Sequence, residues 1–156
     1  MRRFQFSMDR VLNLRKQQQR WMELQLSRHG AALADARHKL EALIQQLNQL
    51  GDALEAEVRD AASGVFAINP FAYRKQLSAQ MDLARQQLSE EKRRYEETLA
   101  EHVALTQNVE MLETLRSNQQ RDHKRQQQKK EQRRLDALIA TRWTEGRRIK
   151  EVNSDG

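Results

Sequence analysis

The chain has 156 residues, of which 38% are apolar and 32% are charged, and its formal net charge is +6. This composition excludes an ordinary globular domain and favours long helices whose outer faces contact water. Cysteine is absent, which excludes disulfide bonds and thiolate metal sites and is typical of a reducing, cytosolic compartment. There is no run of about 18 apolar residues, so the sequence predicts no transmembrane segment.

The first predicted element is a helix from about residue 8 to residue 61, and the evidence for it is a heptad repeat. Apolar residues recur at intervals that sum to seven, which is the pattern of a coiled-coil seam. Ser7 is suited to the N-cap position, because its hydroxyl can accept a hydrogen bond from a free backbone N–H. The seam consists of Met22, Leu26, Leu33, Ala36, Leu40, Leu43, Leu47, Leu50 and Leu54.

A second long helix is predicted from about residue 70 to residue 145, after a turn at residues 62–69. Asn69 and Pro70 form a helix-start signal, because asparagine can cap free N–H groups and proline is favoured at the first helical position. The seam of this second helix consists of Leu77, Met81, Ala84, Leu88, Tyr95, Leu105, Val109 and Leu112.

The two helices are predicted to form one antiparallel coiled-coil hairpin, an all-α fold with a single domain over the whole chain. A short connection normally makes two long helices antiparallel neighbours. Folding about the centre of the turn pairs residues whose numbers add up to about 131, which brings Tyr95 close to Ala36 and His29 opposite His102. We interpret the two histidines as a polar layer that fixes the register. A slip of three or four residues would also keep the seams facing each other.

The end of the second helix is predicted to extend beyond its partner, because the first helix begins too late to cover it. Residues 117–134 contain no apolar side chain. Gly146 is predicted to cap this helix, and residues 147–156 are predicted to be disordered. Between these segments lies an apolar stripe at positions i, i+3, i+4 and i+8, which nothing in the chain is left to cover, formed by Leu135, Leu138, Ile139 and Trp143.

The sequence predicts a protein that is not an enzyme and that holds no metal ion or cofactor. Its acidic run, which includes Glu90, Glu91, Glu96 and Glu97, is mixed with basic residues and suits a solvated helix face. General acid and base catalysis needs a desolvated pocket, which a coil of two helices does not offer. The histidines lack the i, i+4 spacing of helical metal ligands.

Nucleic-acid binding is a further class to weigh, because a basic segment next to a leucine repeat suggests a basic zipper. Residues 1–20 carry six Arg or Lys against one acid, and residues 117–156 carry eleven against six. Apolar side chains such as Phe4, Val11 and Trp21 precede the seam leucines, and such a surface does not suit the reading of bases. We therefore expect no specific nucleic-acid recognition, although both basic termini favour non-specific attraction to polyanions at low salt.

Uncovered apolar residues at both ends of the predicted hairpin indicate that the protein acts by contacting partners. The chain starts with FQFSMDRVLNLRK, and the second helix approaches its end with EQRRLDALIATRW. At the opposite end, next to the turn, three aromatic residues have little coil to pack against: Phe66, Phe71 and Tyr73. A coiled coil that bridges two partners accounts for both groups.

The two terminal motifs also resemble those of a known family. Residues 4–15, FQFSMDRVLNLR, resemble the F-x-F-x-L-x-x-V-L-x-L-R opening of the flagellar export protein FliJ family. Residues 131–143, EQRRLDALIATRW, are similar to the E-x-x-x-L-D-E-I-A-x-x-R-F ending of the same family, with departures at Ala137 and Trp143. The likeness covers nearly the whole chain.

The resemblance implies a stalk and chaperone component of the flagellar type III export apparatus. Such a protein inserts its paired termini into the hexameric export ATPase, promotes assembly of that ring, and contacts a membrane export gate subunit and export chaperones. It is located in the cytoplasm, at the inner membrane beneath the flagellum. The expected ATPase-binding end comprises Phe4, Phe6, Arg133, Arg134, Leu135, Leu138, Ile139 and Trp143. The expected gate-binding end comprises Leu43, Leu50, Tyr73 and Leu77.

Two other functional classes are compatible with the same residues. A generic coiled-coil scaffold or secretion chaperone, including the stalk of an injectisome-type system, would show the same heptads and the same basic ends. A nucleic-acid-binding coiled coil is the minor alternative. Identification of the main binding partner would separate the three classes.

Overall fold

The structure is a computed structural model, and it describes residues 3–60 and 70–155. It contains two long helices, α1 (Asp9–Arg59) and α2 (Pro70–Ser154), and no strand within these two ranges. The all-α class predicted from the heptad repeat is therefore confirmed. The predicted turn at residues 62–69, with Phe66, lies outside the described residues.

The chain divides into two compact units, each of which contains a segment of both helices. The terminal unit comprises Met1–Leu14 and Asn108–Gly156, and the central unit comprises Arg15–Gln107. In both units the segment of α1 runs antiparallel to the segment of α2, as the contacts described below show. That the whole chain behaves as a single domain stays a prediction.

The central unit has a narrow core made by seam positions of both helices. Seam side chains are buried because each helix presents only one stripe of apolar residues and the partner helix covers it. A buried Thr98 completes this core, and its hydroxyl donates a hydrogen bond of 2.9 Å to the backbone carbonyl of Arg94. The buried apolar residues are Leu33, Ala36, Leu77, Met81 and Ala84.

Polar contacts across the central unit define its register. The amide of Gln19 donates a hydrogen bond of 3.2 Å to the hydroxyl of Thr106. Four residues further along α1, Oε1 of Glu23 lies 3.5 Å from Nε2 of His102. This is an ion-pair distance for a protonated imidazole, although the Nε2 atom makes no hydrogen bond to any described residue. The residue numbers in both pairs add up to 125 rather than to the predicted 131.

The predicted register is therefore wrong by nearly one heptad, and two expected contacts change with it. The ring of Tyr95 lies beside Gly30, where a Cβ atom would be 3.6 Å from its Cε2, and not beside Ala36. His102 faces Glu23 and not His29, so the two histidines do not form the expected layer. A slip of almost seven residues keeps the apolar seams together. The observed register gives the large ring a small neighbour, which favours close packing.

The terminal unit has its own core, formed where the start of the chain packs on α2. Leu12 is fully buried and forms a cluster with the buried Phe6 and Val109. Phe4 and Leu112 pack against this cluster. The backbone N–H of Asp9 donates to the carbonyl of Phe6 at 3.2 Å, which turns the chain into α1.

An ion pair also joins α1 and α2 in the terminal unit. A carboxylate oxygen of Asp9 lies 3.8 Å from the guanidinium of Arg116. Their residue numbers also add up to 125, so the register of the terminal unit is the same as in the central unit. Asp9 lies in the first turn of α1, where a negative charge is favourable next to the free N–H groups of the helix.

The C-terminal end of α2 differs from the prediction, because the helix continues through Gly146 to Ser154. A helix end near Glu145 and a disordered tail over residues 147–156 were expected. Glycine ends a helix when it adopts a positive φ, and no described glycine does so here. A single helical glycine costs only about 1 kcal/mol relative to alanine, which neighbouring helix formers offset.

Candidate partner-binding surfaces

The apolar stripe near the end of α2 is exposed to water in the structure. Leu135 is 58% exposed and Trp143 is 63% exposed, and Leu138 and Ile139 between them are similar. Every described residue from position 131 onward is exposed. Single exposed apolar residues are ordinary, but a contiguous stripe on one helix face is typical of a surface that binds a partner.

The stripe is longer than the sequence analysis predicted. Ile149 and Val152 are also exposed, at 63% and 74%, and they follow Leu135 and Leu138 by 14 residues, which is two heptads. Both residues lie in the segment that was expected to be a disordered tail, so they were not predicted to belong to the stripe. Their heptad spacing was the signal that could have found them.

Basic side chains surround this stripe. Arg133 and Arg134 precede it, and both are exposed. The guanidinium of Arg147 lies 4.2 Å from the centroid of the Trp143 ring, a cation–π contact across one turn of helix. The contact holds the indole against the helix, so the stripe presents a large, oriented aromatic side chain.

The two phenylalanines predicted for the same surface occupy different positions. Phe6 is buried in the core of the terminal unit, so its side chain is not available to a partner in this structure. Phe4 is half-buried, and its ring centroid lies 5.7 Å from that of His123, with the rings tilted by 48°. Both rings position the start of the chain on α2. Their predicted contact with a partner remains a prediction, and the stripe offers the larger free surface.

The four residues predicted for the gate-binding end all belong to the central unit, and they differ in accessibility. Leu77 is only 2% exposed, and Leu43 and Leu50 are half-buried. Tyr73 is 41% exposed. Of the four, Tyr73 is therefore the side chain that a partner can reach without opening the coil.

Next to Tyr73, the first two turns of α2 present an aromatic and basic surface. Phe71 is 80% exposed and lines a surface depression. Arg74 and Lys75 line this depression together with Ser78, Ala79 and Asp82. The surface has the composition of a protein-binding patch, because aromatic and arginine side chains are enriched at such interfaces.

Over the described residues, the structure contains no group of three or more His, Cys, Asp or Glu that could hold a metal ion. Within the same ranges, neither helix has a stretch that is long and apolar enough to cross a membrane. The candidate functional sites in these ranges are therefore two surfaces, the stripe near the end of α2 and the patch at its start. Both combine apolar or aromatic side chains with positive charge.

Comparison with known proteins identifies a family. A family model described as Flagellar FliJ protein matches residues 4–148, which include both terminal motifs and nearly all of α1 and α2. No curated protein and no solved structure matches the chain significantly.

Proposed function

This chain belongs to the flagellar FliJ family, a component of the flagellar export apparatus, and we propose that it acts there as the stalk of the export ATPase. In this role it is not itself an enzyme. The end that carries the stripe inserts into the ATPase hexamer and promotes its assembly and its ATP hydrolysis.

The observation that carries this proposal is the uncovered stripe with its surrounding positive charge. Four apolar side chains of α2 are exposed, and no other described segment of the chain covers them: Leu135, Leu138, Ile139 and Trp143. Burial of such side chains by a partner contributes about 25 cal/mol per Å² of apolar surface. The basic residues of the same segment would add long-range attraction to a partner surface of opposite charge, which raises the association rate.

The start of α2, in the central unit, is proposed to bind the membrane export gate and export chaperones. Among the described residues there, Tyr73 and Phe71 are accessible aromatic side chains, and Arg74 and Lys75 supply positive charge. Aromatic side chains with an adjacent arginine are frequent hot spots of protein interfaces. The protein would then link the cytoplasmic ATPase to the gate at the inner membrane beneath the flagellum, and its loss would impair motility.

The experiment that tests the stalk proposal is ATP hydrolysis by the purified hexameric export ATPase, measured across a concentration series of this protein. Replacement of Leu138 and Ile139 together by Gln should reduce the stimulation at least about tenfold, because two apolar contacts worth roughly 1 kcal/mol or more each are lost. Deletion of residues 131–156 should abolish the stimulation.

A matched control is available on the same helical segment. Ala137 and Ala140 are also exposed but lie on the other face of α2, and their joint replacement by Gln should leave the stimulation unchanged. Circular dichroism should show all these variants to be helical. Full stimulation by the chain that lacks residues 131–156 would contradict the stalk proposal and would favour the scaffold alternative.

A further inference from the structure

Arg147 and Trp143 contact each other through the face of the indole, which leaves the hydrogen-bonding capacity of the guanidinium unused. The central carbon of the guanidinium, Cζ, lies over the ring at 4.2 Å from its centroid. A cation–π contact uses the positive charge of arginine and none of its five N–H donors. Among the residues that the structure describes, none accepts a hydrogen bond from Arg147. In the free chain these donors therefore bind water.

The charged neighbours of Arg147 on α2 do not supply an acceptor for these donors. Two carboxylates lie within two turns of it, those of Glu145 and Glu151, and both are exposed. Glu145 precedes Arg147 by two residues and so does not face it. Glu151 lies four residues further on, but the structure contains no ion pair between it and Arg147. Lys150, three residues after Arg147, adds a second positive charge on this side of the helix.

Burial of Trp143 by a partner changes what Arg147 requires. The indole is 63% exposed, so a partner that covers it also approaches the guanidinium on the same ring. The indole already covers one side of the guanidinium, and the partner then removes water from the N–H donors. Donors that lose water without a replacement acceptor cost free energy, and a charged group costs more than a neutral one. A well-matched partner therefore supplies an acceptor at this point.

We propose that Arg147 and Trp143 act as one anchor for an apolar pocket that has an Asp or Glu carboxylate at its edge. This inference rests on the proposed function, and it specifies the chemistry of the ATPase surface that receives the stripe. The indole fills the pocket, and the guanidinium binds the carboxylate through two parallel N–H donors. A carboxylate is favoured over a neutral acceptor, because it matches the planar guanidinium in geometry and carries the opposite charge.

Arg147 is also a positioning residue for the indole before the partner binds. A tryptophan on an exposed helix face has several rotamers, and the stacked guanidinium favours one of them. Ordering the side chain in advance lowers the entropy cost of association. On the other side of the ring, three residues after Trp143, Gly146 presents no side chain, and a Cβ there would meet nothing within 4 Å. A partner can therefore reach the indole from that side.

NMR of the free full-length chain tests the positioning role without any ATPase. A proton held over the face of an indole resonates upfield because of the ring current. We expect the guanidinium Hε of Arg147 to resonate upfield of that of Arg148, which lies five residues after Trp143 and out of its reach. Trp143→Leu should remove this difference. An Arg147 resonance that Trp143→Leu leaves unchanged would overturn the positioning role.

The concentration of this protein that gives half-maximal stimulation of the purified export ATPase tests recognition of a carboxylate. We expect Arg147→Gln to raise it at least about tenfold, because a desolvated carboxylate of the ATPase then lacks its partner. The matched control Arg148→Gln removes the same charge and should change it less than about twofold. Arg147→Lys should not restore the wild-type value, since lysine keeps the charge but has no planar fork. Full activity of Arg147→Lys would overturn the proposal.

Glu151→Gln tests whether the carboxylate belongs to the ATPase or to this chain. We expect it not to raise the half-maximal concentration, and a rise as large as that of Arg147→Gln would overturn the proposal by making Glu151 the acceptor. Circular dichroism should show all these variants to be helical. Normal stimulation by both the wild type and Arg147→Gln would overturn this inference alone. Absence of stimulation by the wild type would instead overturn the proposed function, and this inference with it.

Discussion

In the central unit, Leu77 and Met81 of α2 are buried, whereas Leu135 and Leu138 near the end of the same helix lie in water. Both pairs follow the spacing of a coiled-coil seam, three or four residues apart. The spacing therefore indicates which face of the helix is apolar but not whether another segment covers it. Coverage depends on the length of the partner helix, and α1 is 34 residues shorter than α2, with 51 residues against 85.

Substitution of one leucine from each region tests this difference directly and should give the largest effect. Leu77→Ala should lower the free energy of unfolding by about 2 to 4 kcal/mol, because it removes a buried side chain and leaves a cavity. Leu135→Ala should change it by less than about 0.5 kcal/mol, because that side chain is already hydrated. Urea denaturation followed by circular dichroism measures both. A similar loss in both variants would mean that the stripe is covered in solution.

A second test compares two neighbouring side chains of α2 that differ in exposure. Tyr73 is accessible and Leu77, one turn later, is buried. We expect Tyr73→Ala to weaken binding to the export gate subunit by roughly tenfold, the loss of one aromatic hot spot, with only a small shift in melting temperature. Titration of the gate subunit with the wild type and the variant measures the affinity. Equal affinities would exclude Tyr73 from the interface.

The smallest expected effect concerns the two glycines within α1. Gly30→Ala and Gly51→Ala should each stabilise the helix by about 0.5 to 1 kcal/mol, because alanine has the higher helix propensity. A Cβ at position 51 meets nothing within 4 Å, and one at position 30 lies 3.6 Å from Tyr95, which is an ordinary contact. A bulkier Gly30→Leu should destabilise the protein, whereas Gly51→Leu should not. Thermal melts of the four variants check this, and stabilisation by Gly30→Leu would contradict the observed register.

Most of the fold was predictable because the heptad repeat is a strong local signal. It identified two long helices and most of the seam residues, and the short connection between the helices predicted their antiparallel pairing. The register was not predictable from the same signal, since a repeat of seven allows alternatives that differ by about seven. Gly30 and Tyr95 contained the missing information, because a glycine beside the seam leaves room for a large ring.

The candidate surfaces were predictable to different degrees. The exposure of Leu135 and Trp143 followed from the length of the second helix. The burial of Phe6 did not, since the aromatic start of the chain is not helical and its packing on Val109 depends on tertiary structure. Ile149 and Val152 were missed because Gly146 was interpreted as a helix end. A glycine ends a helix where its backbone adopts a positive φ, and the sequence alone does not show which glycines do so.

The continuous helix from residue 131 to Ser154 has a further consequence for how a partner would recognise it. This segment packs on no other part of the chain that the structure describes, so its helicity rests on propagation from the preceding turns and on local pairs such as Arg147 with Trp143. The preceding turns of α2 already nucleate the helix in this segment, and the fraction of helical conformation should decrease gradually towards the C-terminus. A partner would therefore meet a surface that is largely preorganised at Leu135 and progressively less so at Val152. Amide hydrogen exchange should slow most on binding in the last two turns, where the free helix opens most often.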